Sequence, residues 1–468
     1  MTKIEFGTDG WRGEIARDFT FENLERVSHA AAEYFAKCKN IKRGVVVGYD
    51  ARFLSREFAE TTATIFASRG IGVWLTNGIS STPMVSLAVV KKRTAGGVII
   101  TASHNPARYN GFKLKGFYGG PSDPDDVKIV EKNISERPIV SKTSLKSFND
   151  YVTKKLIREF DAKQMYLDYL PTKLDIPAIR HSGLKIIYDP MYGSGICTLD
   201  RIVPVATQLH NEHNASFTGI DHPEPMGEYL GDLIKTIRSG DENYNIGLAT
   251  DGDADRIGAV DEEGNFVDSH RLFMLTLKYL YEDKGLRGDV VKTVSLTSMV
   301  DAYCKKHKIT LHETPVGFKY ICKFILERNI LIGGEESGGY ATSLHIPERD
   351  GIFNGLLICE MMAKKKKSLS QLVRELHHEL GIHRYRRVDL RTTEEHKQRV
   401  LKRAKIGVKT LGKYVVRSIK TIDGYKFIVD NGWLLIRASG TEPLLRFYAE
   451  GGTTTQVDDL LKSGMNLS

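Results

Sequence analysis

Asp251, Asp253 and Asp255 stand at alternate positions in Thr250-Asp251-Gly252-Asp253-Ala254-Asp255-Arg256, directly after the apolar run Ile246-Gly247-Leu248-Ala249. Alternate side chains of an extended segment share a face, so the spacing predicts three carboxylates converging on one point. Close negative charges repel unless a cation sits among them, and a hard divalent ion with oxygen ligands, Mg²⁺, suits that place. The competing reading is an acidic surface turn, because Asp and Gly are ordinary turn residues.

Ser103 lies in Thr101-Ala102-Ser103-His104-Asn105-Pro106, again at the end of an apolar run, Gly97-Val98-Ile99-Ile100. Asn-Pro favours a turn, so the hydroxyl is either bonded to local backbone or presented as a nucleophile. No Gly-x-Ser-x-Gly elbow surrounds it, which points away from acyl transfer. Phosphoryl transfer fits better. A phosphoserine carries about −1.5 to −2 charges and would join the aspartates around one cation, making Ser103 a prospective metal ligand.

Two further clusters carry polar chemistry. Arg437-Ala438-Ser439-Gly440-Thr441-Glu442-Pro443 combines a guanidinium fork, two hydroxyls and a glycine, the makings of a phosphate cradle, with Arg446 adding charge. Glu335 and Ser337, set among Gly333, Gly334, Gly338 and Gly339, offer an acceptor and a donor for sugar hydroxyls where glycine permits close approach. A plain surface turn and a plain glycine-rich turn are the alternatives.

The elements that must position these residues repeat. The 44–50, 183–189 and 288–294 segments each read as a glycine followed by a buried strand, with a helical pattern and further strands behind it. In each unit a later apolar strand runs into one chemistry-bearing loop, after 97–100, 246–249 and 330–332. Open α/β sheets place ligands beyond the carboxyl ends of their strands, so three such loops facing one cleft form one composite site. The tail alternates near Tyr385-Arg386-Arg387-Val388-Asp389-Leu390 like an antiparallel strand. The expected division is 1–150 for the serine-loop unit, 151–256 for the metal-loop unit, 257–375 for the sugar-loop unit and 385–468 for a smaller α+β domain.

Composition narrows the function. A chain of 468 residues with 41% hydrophobic and 27% charged content is ordinary for a globular enzyme of several domains. The charge of +9 is dispersed, with Lys364 to Lys367 as the one dense run at a helix end. It favours small anionic substrates over nucleic acid. Cys38, Cys197, Cys304, Cys322 and Cys359 lack paired spacing, which fits a reducing compartment and no zinc site. No signal core or membrane-length apolar run is legible, so the cytoplasm is the expected location.

In order and spacing, Phe6-Gly7-Thr8-Asp9-Gly10-Trp11-Arg12-Gly13, the 101–106 loop, 251–256, 334–339 and 437–443 resemble the signatures of the α-D-phosphohexomutase superfamily, through essentially the whole chain. The resemblance implies three related α/β domains with mixed sheets and a fourth, TATA-binding-protein-like α+β domain around a central cleft. It implies Ser103 as the phosphorylated nucleophile and Asp251, Asp253 and Asp255 as Mg²⁺ ligands. Arg12, His104 and Lys113 would surround the transferring phosphate, and Glu335 and Ser337 would hold the sugar. Arg437, Ser439, Gly440 and Thr441 would hold the distal phosphate.

Ala254 and Gly339 depart from the family pattern, Gly339 standing where dual-specificity members have histidine. Glu335-Glu336-Ser337 looks like the phosphoglucomutase version of its loop. So does the 313–319 segment, which brings Gly317 and Lys319 toward substrate. Arg349, in His345-Ile346-Pro347-Glu348-Arg349-Asp350-Gly351, occupies the position of a basic general acid/base, although arginine is a poor base. The implied activity interconverts glucose 1-phosphate and glucose 6-phosphate through phosphoserine and glucose 1,6-bisphosphate. Closure would be about a hinge near 370–385, in a monomer or homodimer with no nucleic-acid or membrane partner. A mutase for mannose, glucosamine or pentose phosphates, a Mg²⁺-dependent sugar phosphatase and a non-catalytic sugar-phosphate binder are the alternatives.

Overall fold

Val45–Tyr49, Ile186–Asp189 and Asp289–Thr293, the runs that follow the repeated glycines, are interior strands of three separate sheets. Each is rich in β-branched or aliphatic residues and almost wholly buried, as strands covered by helices on both faces must be. The computed structural model of the protein describes residues 4–135, 146–240, 242–438 and 444–467.

Each of these strands pairs in parallel with the strand that carries a chemistry loop: Gly96–Ile100, Ile246–Thr250 and Ile330–Gly334. Each loop-bearing strand then pairs antiparallel with the strand that follows it, Tyr109–Gly116, Ile257–Asp261 and Tyr340–Thr342. The three loops are therefore the same structural object, the connection between the last parallel strand and its returning neighbour. The fourth sheet is antiparallel, in the order Arg384–Arg391, Leu444–Gly451, Gly432–Ala438, Tyr425–Val429, Ser418–Lys420. Helix Thr454–Met465 packs across it.

Two expected boundaries shift. Ile257–Asp261 and Phe266–Val267 extend the second sheet, so the break expected after Arg256 falls inside that unit. The first sheet likewise gains Ile157–Phe160 at its edge, past the expected limit at 150. The segment expected to act as a hinge is mostly helix, Leu369–Leu380, packed on helix Ser269–Lys278. The chain leaves that helix at Gly381, whose φ of +85° is a left-handed backbone, and enters the last sheet at Arg384.

Candidate active site

Ser103 and the aspartate loop meet although 148 residues separate Ser103 from Asp251. The Ser103 Oγ donates to Asp251 Oδ2 at 2.9 Å, and both side chains are buried. The close approach depends on Gly252, where a Cβ would stand 2.2 Å from the Ser103 carbonyl oxygen. Ser103 and Ala254 both hold positive φ, +54° and +55°. Non-glycine residues in that region store strain, which collects at functional sites.

The aspartates converge for a different reason from the one their spacing gives. The 251–256 loop is not extended: the Ala254 N–H donates to the Asp251 carbonyl at 2.9 Å, closing a turn over Gly252 and Asp253 that ends at the left-handed Ala254. Asp251 Oδ1 accepts the N–H groups of Asp255 and Arg256 at 2.9 and 3.1 Å, which folds the loop around its first carboxylate. All three carboxylates are buried, and one oxygen of each lies within 4.8 Å of the others. Asp253 Oδ1 and Asp255 Oδ1 accept no hydrogen bond. Buried, unsatisfied carboxylate oxygens on a convergent set fit a hard divalent cation.

Neighbouring cations already divide the cluster. Burial followed by Asp253 and Asp255 pushes the Asp251 carboxyl well above its ordinary range. Burial also acts on Asp253, but Lys113 outweighs it and holds that carboxyl below the usual range. Lys113 Nζ reaches Asp253 Oδ2 at 2.7 Å and Asp9 Oδ2 at 2.8 Å. Helix Thr82–Lys92 points its N-terminus at the same loop. Ser81 caps it, accepting from the Met84 N–H, while the Thr82 N–H and Oγ1 donate to the Asp253 carbonyl and Oδ2 at 3.0 and 2.5 Å.

Arg349 lies over Gly339, where a Cβ would come within 2.4 Å of the arginine Cδ. Its Nη2 pairs with Asp9 at 2.6 Å and Asp255 at 2.7 Å, and Nη1 faces Glu335 at 3.6 Å. Against the opposing effect of burial, Asp255, Asp9, Glu348 and Glu335 hold its proton more tightly than usual, so Arg349 is a fixed cation. Burial pushes Glu335 up to about 7, with Arg349 opposing and Glu336 adding. The Gly317 N–H donates to Glu335 Oε1 at 3.0 Å, bringing the 313–319 segment to the 335–339 loop. Ser337 is half-buried in that loop's turn, and Lys319 lines, with Asp9, a cavity of about 140 Å³.

Arg12 donates to Asn105 Oδ1 at 2.6 Å, beside the serine. The His104 Nδ1 is 3.4 Å from Ser103 Oγ; burial, then Arg256, Arg12, Arg387 and Lys113, push this imidazole well below its ordinary pKa, so it is neutral. Arg437 and Arg446 stand in the last unit, Arg437 paired with Asp423 at 2.8 Å and donating to Tyr448 Oη at 3.3 Å, Arg446 facing Asp389 at 3.4 Å. Ser439, Gly440 and Thr441 lie outside the described residues.

Sequence reasoning overlooked several residues. Arg52, fully buried, donates to the carbonyls of Ser103, Asn105, Pro106 and Tyr109 at 2.5 to 2.9 Å and so holds the serine loop as one body. Thr82, Lys115, Glu348 and the Arg256–Glu224 pair were also missed. The available signal was the Lys113-x-Lys115 alternation on a buried strand, which sends two ammonium groups to one face.

Repeated hairpin loops bring the Ser103 hydroxyl against three buried carboxylates, an arrangement suited to phosphoryl transfer, and the protein is an intramolecular phosphotransferase of the isomerase class. Residues 3–138, 164–264, 268–380 and 388–464 match phosphoglucomutase/phosphomannomutase α/β/α domain I, domain II, domain III and the C-terminal domain respectively. The chain belongs to the phosphoglucomutase/phosphomannomutase family.

Among relatives, it is 30% identical to a phosphoglucosamine mutase of Carboxydothermus hydrogenoformans over 97% of each chain. It is 29% identical to a phosphoglucomutase/phosphomannomutase of Thermococcus kodakarensis, over 99% of this chain and 98% of that one. A crystal structure from Thermus thermophilus, provisionally described as a phosphomannomutase, is 32% identical with a TM-score of 0.86, covering 100% of this chain and 99% of that one. Among the described residues, no helix is long and apolar enough to cross a membrane.

Proposed function

We propose that the protein interconverts glucose 1-phosphate and glucose 6-phosphate, with Ser103 as the phosphorylated residue. The observation that carries this reading is the 2.9 Å contact between Ser103 Oγ and the buried aspartate cluster. Asp251, Asp253 and Asp255 would hold Mg²⁺, joined by a phosphate oxygen on Ser103; bound there, the ion neutralises charge on the transferring group.

The phosphoserine P–O bond breaks as a sugar hydroxyl forms the new one, and the hydroxyl proton ends on the seryl oxygen, so the step is neutral overall. The product is glucose 1,6-bisphosphate, which turns end for end and returns its other phosphate to Ser103. A loose phosphoryl-transfer transition state is stabilised mainly by position and charge. Arg12, Lys113 and Arg349 supply cationic charge around it, Arg349 as a stabiliser and not as a base. Neutral His104 stands beside the seryl oxygen. Glu335 and Ser337 take sugar hydroxyls, with Gly317 and Lys319 beside them. The cradle of Arg437, Ser439, Gly440, Thr441 and Arg446 takes the idle phosphate, and the fourth unit excludes water by closing about Gly381.

Glucose is supported by the Glu335-Glu336-Ser337 loop and by Gly339, over which the Arg349 side chain lies so that no other side chain fits there. Glucosamine phosphate is the second reading, favoured by the relatives that carry that name. Turnover per KM for glucose, mannose and glucosamine 1-phosphates tests the choice: a tenfold preference, about 1.4 kcal/mol, for either competitor overturns glucose. Full turnover by Ser103→Ala, or active enzyme with no phosphoserine by intact mass, overturns the mechanism.

A further inference from the structure

Lys113 and Lys115 sit two apart on the Tyr109–Gly116 strand and leave it on the same side, both buried. Lys113 goes to the aspartate loop. Lys115 goes to the third unit, where its Nζ meets Glu348 Oε2 at 2.5 Å with both side chains sealed from solvent. Ser86 Oγ donates to the same oxygen at 3.3 Å. The other oxygen, Oε1, accepts the Arg349 N–H at 3.1 Å and faces Arg349 Nε at 3.7 Å.

Arg349 is thus held at two ends. Its backbone N–H is bonded by Glu348, whose Oε1 also faces the otherwise unpartnered Nε at 3.7 Å, and its Nη atoms reach Asp9, Asp255 and Glu335. The missing side chain at Gly339 gives it a path, and the ring of Phe318 lies 5.3 Å beneath it. A buried ion pair is a poor device for mere cohesion, since apolar residues of the same volume hold two domains together at least as well. Its use is geometric: a carboxylate anchored by an ammonium from another unit can orient a cation by direction as well as distance.

We propose that Lys115 and Glu348 are positioning residues that aim Arg349 across Gly339 at the transferring phosphoryl group. The proposal rests on the phosphomutase reading for its kinetic consequence but not for its geometry. Glu348→Gln is expected to lower kcat on the order of 10²-fold, the usual cost of a misplacement of about 1 Å, with KM for the sugar phosphate changed less than threefold.

Because removing one partner of a buried pair can unfold a protein, the decisive variant is the double replacement Lys115→Met with Glu348→Leu. It is expected to keep the wild-type melting temperature yet to remain impaired in kcat, and its crystal structure is expected to show the guanidinium displaced by more than about 1 Å, the same misplacement. In an Arg349→Met background, Glu348→Gln is expected to change kcat no further. Wild-type kcat in the double variant, an unmoved guanidinium, or a full additional loss in the Arg349→Met background overturns the proposal. If the wild type isomerises none of the hexose phosphates, the mutase reading falls, while the guanidinium displacement still decides the positioning.

Discussion

Ser103 Oγ donates its proton to Asp251 Oδ2 at 2.9 Å, from the first repeated unit to the second. In the unphosphorylated protein this is a favourable hydrogen bond to a carboxylate. Once the serine is phosphorylated, the same contact sets a phosphate of about −1.5 to −2 charges against three buried carboxylates, two of them with an unsatisfied oxygen. Lys113 and Arg349 offset part of that charge, and a divalent cation between the groups would offset more of it.

The expected outcome is that the phosphorylated protein binds Mg²⁺ at least tenfold more tightly than the dephosphorylated one, a coupling of about 1.4 kcal/mol. Linkage requires the reverse as well, so chelation weakens retention of the phosphoserine loop in its place. Calorimetric titration of both forms with Mg²⁺ measures this directly. Equal affinities would show that Ser103 and the aspartates do not share an ion.

Gly252 and Ala254 make opposite demands on the aspartate loop. At Gly252 a methyl group would collide with the Ser103 carbonyl at 2.2 Å, and backbone cannot step aside as a flexible side chain would. Gly252→Ala is expected to part the two loops and cost kcat on the order of 10²-fold. Ala254 is left-handed at φ +55° and buried. Ala254→Gly relieves strain of about 1–2 kcal/mol but gives back about 0.4–1 in unfolded-state entropy and about 0.8 for a buried methyl. The sum leaves stability within roughly 1 kcal/mol of the native protein by these same terms. Turnover and melting temperature of the two variants check both halves; a stable, fully active Gly252→Ala would refute the contact.

Glu335 gives activity a pH dependence of definite sign. Its carboxyl is pushed up to about 7, first by burial, and an ionised carboxylate accepts hydrogen bonds from hydroxyls more strongly than a protonated one. Turnover per KM is therefore expected to climb as pH passes through 7, and Glu335→Gln should lower it and abolish that limb. Neutral His104, pushed down well below its ordinary value, does not contribute to it. Stability runs the other way. The folded state holds this proton more tightly than the unfolded chain, whose value is 4.5, so stability falls from about pH 4.5 to 7. A flat pH profile in the native enzyme would contradict the assignment.

Much of this was legible before any coordinates. The glycine-led apolar runs became the interior strands because β-branched residues buried on both faces leave few alternatives. The loops after 100, 250 and 334 followed from where those strands end. Ser103, Lys113 and the aspartates, read from separate stretches of sequence, stand together in one place. The reason given for the aspartates did not survive, because a turn over Gly252 and Asp253 ending at the left-handed Ala254, and not an extended run, gathers them. Arg52, Thr82 and Glu348 escaped notice since their partners are 51, 171 and 233 residues away; even in the 345–351 segment, nothing local marks Glu348 as the partner of Lys115. Domain limits slipped where strands beyond a loop complete the side of a sheet, as Ile157–Phe160 does at one edge and Ile257–Asp261 with Phe266–Val267 do at another.

Lys426 marks how the last unit is seated. It is buried against the third unit, its Nζ donating to the Val294 carbonyl at 2.6 Å and lying 4.0 Å from the Trp433 ring centre. Burial, then Lys292, push its amine down to about 7, against Glu313, Asp301 and Glu450. Between about 7 and the ordinary 10.5 the unfolded chain binds the proton that the folded one has lost, so stability rises with pH across that window; below 7 the full cost of holding the ammonium remains. Lys426→Met keeps the volume and the ring contact while removing the charge. It is expected to raise the melting temperature at about pH 6.5 by roughly 2–4 °C, the shift that about 1 kcal/mol gives a large domain, and to shrink the gain between pH 7 and 10.5. Thermal unfolding of both proteins at three pH values in that range measures it. A lower melting temperature with an undiminished pH slope would mean that the ammonium is charged and paired in the folded protein, with Glu313, 3.8 Å away, as its counter-ion.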